Sequence, residues 1–149
     1  MNGVPLRGAI TKGPLSVHEV DYGGNRHTNV FGKAIVDAYN LEGSQQWSGC
    51  IVDKACIDMI GERITNPVYG VVEYCVPLKK GEVEKHWCVN WVSTLKLLRD
   101  VKIEIVGELI SEAFSKHNKA TNIWDVKVKI DNTIRFVNEM MERSNSYND

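Results

Sequence analysis

The stretch Val30-Phe31-Gly32-Lys33-Ala34-Ile35-Val36-Asp37-Ala38-Tyr39-Asn40-Leu41-Glu42, with Gly49-Cys50-Ile51-Val52-Asp53 after it, decides the fold. Val30 and Phe31 close an extended segment. Gly32 then hands over to a helix in which Ala34, Ile35, Ala38 and Leu41 recur at the three- and four-residue spacing of one face. Gly43 is the expected C-terminal cap, because glycine takes the left-handed conformation there without steric cost. Cys50-Ile51-Val52 is a short apolar run of the kind a buried strand shows, and Asp53 is a natural N-cap for a helix from Lys54 to Ile60.

Working upstream, residues 4 to 10 read as a strand with Pro5 at its edge, and Gly13-Pro14 punctuates it. A second strand surrounds Val17 to Val20. Asp21-Tyr22-Gly23-Gly24-Asn25 then supplies the positive-φ residues of a tight reversal. Downstream, Thr65-Asn66-Pro67 breaks the chain before a long hairpin, Val68 to Leu78 and Lys85 to Val92, that turns at Lys79-Lys80-Gly81-Glu82.

Two helical stripes follow. Leu98, Val101, Ile105, Leu109 and Ala113 trace one between Leu95 and Phe114 despite Gly107. Val126, Ile130, Ile134, Val137 and Met141 trace the other, with Asn122 as its expected cap. This order predicts an α+β fold: one mainly antiparallel sheet with helices over one face. Residues 1–143 form a single domain, and the polar residues 144–149 a frayed tail.

Composition bounds the function. A chain of 149 residues fits one domain but not two well-filled cores. With 43% hydrophobic residues it can bury enough apolar surface to fold. Eighteen Lys and Arg against 19 Asp and Glu leave a formal charge of −1, so no strong field recruits nucleic-acid phosphates. No apolar run approaches the ~20 residues of a bilayer span, and no basic-then-apolar leader opens the chain. A cytoplasmic protein without membrane or nucleic-acid partners is expected.

Cys50, Cys56, Cys75 and Cys88 form no CxxC pair, so a zinc site is not expected. They read as small buried hydrophobes in a reducing compartment, and the predicted hairpin sets Cys75 opposite Cys88. His18, His27, His86 and His117 have no nucleophile at motif spacing and read as surface or hairpin residues. Trp47, Trp87, Trp91 and Trp124 could stack a base, but without a basic stripe they read as buried against helices.

Leu6-Arg7-Gly8-Ala9-Ile10-Thr11-Lys12-Gly13, the Gly32-led helix ending in Leu41-Glu42, and the strand at Cys50 to Val52 follow one another at a familiar spacing. In this order the chain resembles class III nucleotidyl cyclase (adenylate/guanylate cyclase) catalytic domains over residues 4–92. Residues 93–143 stand as a helical extension outside the general family pattern. The resemblance implies a ferredoxin-like sheet, two halves paired head to tail, and an active site between them. It also implies two aspartates that hold metal ions and activate a ribose hydroxyl. Those aspartates lie upstream of the glycine strand in the family, where this sequence has almost nothing; the chain is then a fragment or a half-domain.

The transition-state asparagine and arginine of the family fall on Val36 and Asn40. Valine donates no hydrogen bond, and asparagine lacks the fixed charge and forked donors of guanidinium. The base-reading position falls on Asn29, which can contact a base edge or serve as a turn residue ahead of the helix. Lys79 and Lys80 fall near a phosphate-contacting lysine of the family, or form a solvated turn.

The expectation is therefore a catalytically degenerate cyclase-like module that senses nucleotides, regulates or binds a partner. No catalytic residue, metal ligand or cofactor is expected in this chain itself. One alternative is part of an active cyclase, using Mg or Mn held by carboxylates from elsewhere. Another is a structural dimerisation module. Unpaired strand edges favour a homo-oligomer, most simply a two-fold dimer.

Overall fold

The computed structural model describes residues 5–65, 70–94, 103–117 and 121–145. Their elements run β1 (Gly8–Ile10), β2 (Ser16–Tyr22), β3 (Asn25–Phe31), α1 (Lys33–Ser44), β4 (Cys50–Val52), α2 (Lys54–Ile60), β5 (Val71–Pro77), β6 (Val83–Val89), α3 (Ile103–Lys116) and α4 (Trp124–Asn145). Short 3-10 turns follow α2 and β6. The class is α+β. Four strands make one sheet in the order β1-β4-β6-β5, and β2 and β3 pair only with each other.

β1 and β4 are parallel, in register from Gly8↔Cys50 to Ile10↔Val52, and the other ladders are antiparallel. A parallel pair needs a crossover, which the segment through α1 supplies. The helix seats itself with half-buried Ala34 and Ala38 and with Leu41, which packs against the main core. Ile35, expected on that inner face, is turned toward solvent. At about 100° per residue it lies off the stripe that Ala34, Ala38 and Leu41 set.

Side chains alternate across the sheet, and both faces are used. Ile51, Tyr74, Val76 and Cys88 share a core with Trp47, with Val106, Ile110 and Phe114 of α3, and with Ile130, Phe136, Val137 and Met140 of α4. Trp47, Tyr74 and Phe136 form an aromatic triangle with centroids 4.6–5.2 Å apart. On the opposite face, Val52, Trp87 and Val89 meet Cys56, Ile57 and Ile60 of α2. The expectation of helices on one face is thus corrected. Val52 and Trp87 are neighbours in register with large apolar side chains, and they need a cover of their own.

Further corrections follow from particular contacts. The β2–β3 hairpin does not join the main sheet; all residues of both strands are exposed, so it stands out as an arm. Gly43 does not cap α1, which continues to Ser44 and ends on Gln45 in extended conformation. There the chain is captured by backbone bonds from Gln46 N–H to the Pro77 carbonyl and from Lys79 N–H to the Ser44 carbonyl. The Ile123 carbonyl, rather than Asn122, accepts the first bonds of α4 from Val126 and Lys127.

Cys75 stands opposite Lys85, and Cys88 stands opposite Val72. The two cysteines therefore lie on opposite faces, and Cys75 is exposed rather than buried. Trp124 is exposed as well. The expected helix residues 95–102, the first residue of the expected opening strand, residues 68–69 of the expected hairpin and the tail residues 146–149 lie outside the described residues, whereas Ser144 and Asn145, expected in the frayed tail, continue α4.

Candidate functional site

The arm is built by local chemistry. Gly23 and Gly24 take φ values of 60° and 82°, the double positive φ of a two-residue type I′ turn, whose twist matches that of the flanking strands. The Asp21 carboxylate accepts from Gly24 N–H at 3.2 Å. Register then sorts the side chains. One face carries the opposed pairs Val17↔Val30, Glu19↔Thr28 and Asp21↔Arg26, with every ionised residue of the two strands on it. The other carries Ser16↔Phe31, His18↔Asn29, Val20↔His27 and Tyr22↔Asn25. The His18 ring stacks on Phe31 with centroids 4.8 Å apart. This second face has no permanent charge, yet it is open to water.

Asn29 therefore sits on the neutral face of the arm, directly opposite His18. At the foot of the arm Gly32 takes a φ of 153°, and a Cβ there would collide with the Pro14 carbonyl. Only glycine lets the chain turn from β3 into α1 so close to that backbone.

The outward side of α1 begins at this foot. Val36 and Asn40 lie one turn apart on it, both exposed, with Ile35 and Tyr39 beside them. Val36 is 56% and Tyr39 74% accessible, so the side that looks away from β1 is apolar and aromatic. Lys33 pairs with Asp37 on this helix, and the interaction raises the lysine's pKa above its ordinary value.

Lys79 and Lys80 occupy the exposed β5–β6 turn, which Gly81 closes at a φ of 79°. Lys79 N–H donates to Ser44 at the C-terminal end of α1, whereas Asn29 precedes the N-terminal end. Twelve helical residues span about 18 Å, so one chain does not bring Asn29 together with the lysines. Lys79 also faces the start of α4. There Asp125 is held below its ordinary pKa, first by its hydrogen bond from Lys129, then by that from Gln46, with a smaller contribution from Lys79.

Behind this end lies a polar network the sequence reading missed. Asn132 Nδ2 donates to the Gln46 carbonyl at 2.8 Å, Gln46 Nε2 to Asp125 Oδ1 at 2.6 Å, and Ser48 N–H to Thr133 Oγ1 at 2.9 Å. Arg7 pairs with Glu42 and donates to the Gln45 carbonyl. Isolated polar residues at positions 45–48 give no periodic signal, because their partners are 37 and about 80 residues away. The arm was more legible, since reading its strands with a period of two already separates Glu19, Asp21 and Arg26 from the aromatics.

Among the described residues no group of three or more His, Cys, Asp or Glu side chains could hold a metal ion. Two shallow, open depressions lie along α4, one lined by Asp131, Arg135 and Glu139 and one by Glu73, Cys75 and Arg143. No described helix is long and apolar enough to cross a membrane. No family model, curated protein or solved structure matches the chain.

Proposed function

We propose that this chain is a catalytically degenerate, nucleotidyl-cyclase-like module that acts by binding a partner, most simply a second copy of itself. The observation that carries the reading is the outward side of α1. Where the resemblance calls for a fixed cation and hydrogen-bond donors, Val36 and Asn40 stand between exposed Ile35 and Tyr39. Such a surface has little to offer a developing phosphoryl charge, but it suits association, which gains from burying exposed apolar groups. The β1–α1–β4 unit followed by the β5–β6 hairpin supports the cyclase-like frame, whereas a ferredoxin-like sheet splits its βαβ units with an intervening strand and β1 and β4 here pair directly.

Nucleotide sensing is the weaker part of the expectation, because Asn29 and Lys79 lie at opposite ends of α1. Two measurements test the reading. Incubation of the folded chain with each nucleoside triphosphate and Mg2+ or Mn2+ yields no cyclic product; turnover would establish the cyclase alternative instead. Light scattering at micromolar concentration gives an oligomer, and a monomer under all conditions would remove the self-association.

A further inference from the structure

β5 ends the strand order β1-β4-β6-β5, so one side of it meets no other strand of the sheet. The ladder with β6 fixes which backbone groups look that way. Asn90 N–H donates to the Gly70 carbonyl just before β5, and Leu78 N–H donates to the Glu82 carbonyl just after it. The even-numbered residues of this stretch therefore bond β6. By alternation, the N–H and C=O groups of Val71, Glu73 and Cys75 and the Pro77 carbonyl point away from the sheet. A row of such groups is a template for another strand.

Two devices close parts of this edge. Proline has no N–H to offer, and the Pro77 carbonyl already accepts from Gln46 N–H. Farther along, Arg143 Nη1 of α4 donates to the Glu73 carbonyl at 3.1 Å, while Nη2 pairs with Glu139. Among the described residues, the Glu73 N–H and both outward groups of Cys75 have no bonding partner. The depression lined by Glu73, Cys75 and Arg143 leaves room beside them. With 45% of the Arg143 side chain accessible, its ion pair adds little to stability. Its consequence lies in the carbonyl it occupies.

The strand that fits this edge follows from symmetry and charge. Identical edges pair most simply antiparallel about a two-fold axis. With the axis at Tyr74, Glu73 faces Cys75 of the second copy instead of its own counterpart, so like charges are not opposed. Lys85 already neutralises Glu73 at 2.7 Å. In this register Glu73 and Cys75 would exchange their outward bonds with the other copy, and the Glu73 carbonyl needed for that exchange is the one Arg143 holds.

We propose that Arg143 guards the outer edge of β5, and that without its guanidinium this edge takes up β5 of a second copy and extends the sheet across the contact. β5 lies at the opposite edge of the sheet from β1, against which α1 packs. The proposal is therefore independent of the self-association through α1, which is common to wild type and variant.

Sedimentation and amide exchange of the full chain, read for the wild type and for Arg143→Ala at low and high concentration, test this, with circular dichroism confirming the fold. In the wild type, concentration leaves the exchange of the Glu73 and Cys75 amides unchanged. In Arg143→Ala a species larger than the wild-type assembly forms as concentration rises, and the same two amides slow in it by at least about tenfold. Adding Cys75→Pro, which removes an outward N–H without touching the ladder to β6, returns Arg143→Ala to the wild-type distribution. Arg143→Ala that sediments as the wild type overturns the proposal. So does a larger species that leaves the two amides fast or that survives Cys75→Pro, and so does a wild type in which concentration already slows them. Should the double variant fail to fold, the concentration dependence of the two amides in Arg143→Ala decides alone.

Discussion

Trp47 Nε1 donates to Oε1 of Gln45 at 2.9 Å, and both side chains are almost completely buried. The same Gln45 amide donates through Nε2 to the carbonyls of Gly8 at 2.8 Å and Leu41 at 3.0 Å. One side chain thereby satisfies an indole N–H, an edge of β1 and the last turn of α1, away from water. It also holds Trp47 at the angle that brings its ring onto Phe136 and Tyr74.

Replacement Gln45→Met keeps the volume and removes every bond of this group. It strands the buried Trp47 indole N–H and takes a donor from the part-buried carbonyls of Gly8 and Leu41, the latter still bonded by Ser44 Oγ, for an expected loss of ~1–3 kcal/mol. Urea unfolding reads this as a lower midpoint at unchanged slope, and a loss under about 0.5 kcal/mol would contradict the network.

Two glycines of the α1 region answer oppositely to alanine. Gly32→Ala forces a Cβ onto the Pro14 carbonyl at an unfavourable φ and is expected to cost about 1–3 kcal/mol. Gly43→Ala lies within the helix, where an added Cβ meets nothing within 4 Å, and gains about 0.5–1 kcal/mol. Thermal midpoints that moved in the same direction for both would show that α1 ends differently.

Burial pushes the Cys88 thiol up to about 12, while Cys75 is exposed. At pH 8 a thiol reagent therefore modifies Cys75 in a fast phase, which Cys75→Ala abolishes, and reaches Cys88 only through unfolding. Fast modification of Cys88 would place it outside the core.

Tyr74 is likewise raised from 10.0 to about 12, chiefly by burial. A raised acid stays protonated in the fold while the unfolded chain ionises, so this stability is present below pH 10 and declines as pH rises toward 12. Tyr74→Phe flattens that alkaline limb in pH-dependent unfolding, and a limb of unchanged steepness would exclude Tyr74 as its source.

Asp125 shifts the opposite way. Its pKa lies below the ordinary 3.8 through Lys129 and Gln46, so its contribution is present above about pH 3.8 and is lost as pH falls through the lower folded value. Asp125→Asn makes the acid limb of stability shallower at low salt, with little change at pH 7 beyond the lost pairing. An acid limb indistinguishable from wild type would count against it.

The outward side of α1 separates association from folding. Val36→Glu and Tyr39→Glu change exposed residues, so unfolding midpoints move by less than about 0.5 kcal/mol, while the oligomer in light scattering dissociates. Intact association in the double variant would take this side of α1 out of the interface.

Local pattern alone determined the α+β class, the reversal at Gly23-Gly24, α2 from Lys54 to Ile60 and the β5–β6 turn at Gly81. Each is written within a few residues, by a conformational need for glycine or by an apolar period. Only the tertiary structure decided that α2 opposes α3 and α4 across the sheet, that the arm stands apart and that α1 runs past Gly43 to Ser44. It alone separated Cys75 from Cys88 and Asn29 from Lys79. These facts depend on ladder register and on partners far away in sequence, as when Gln45 meets Gly8 or Gln46 meets Asp125. A one-residue slip in register exchanges the two faces of a strand without changing its period.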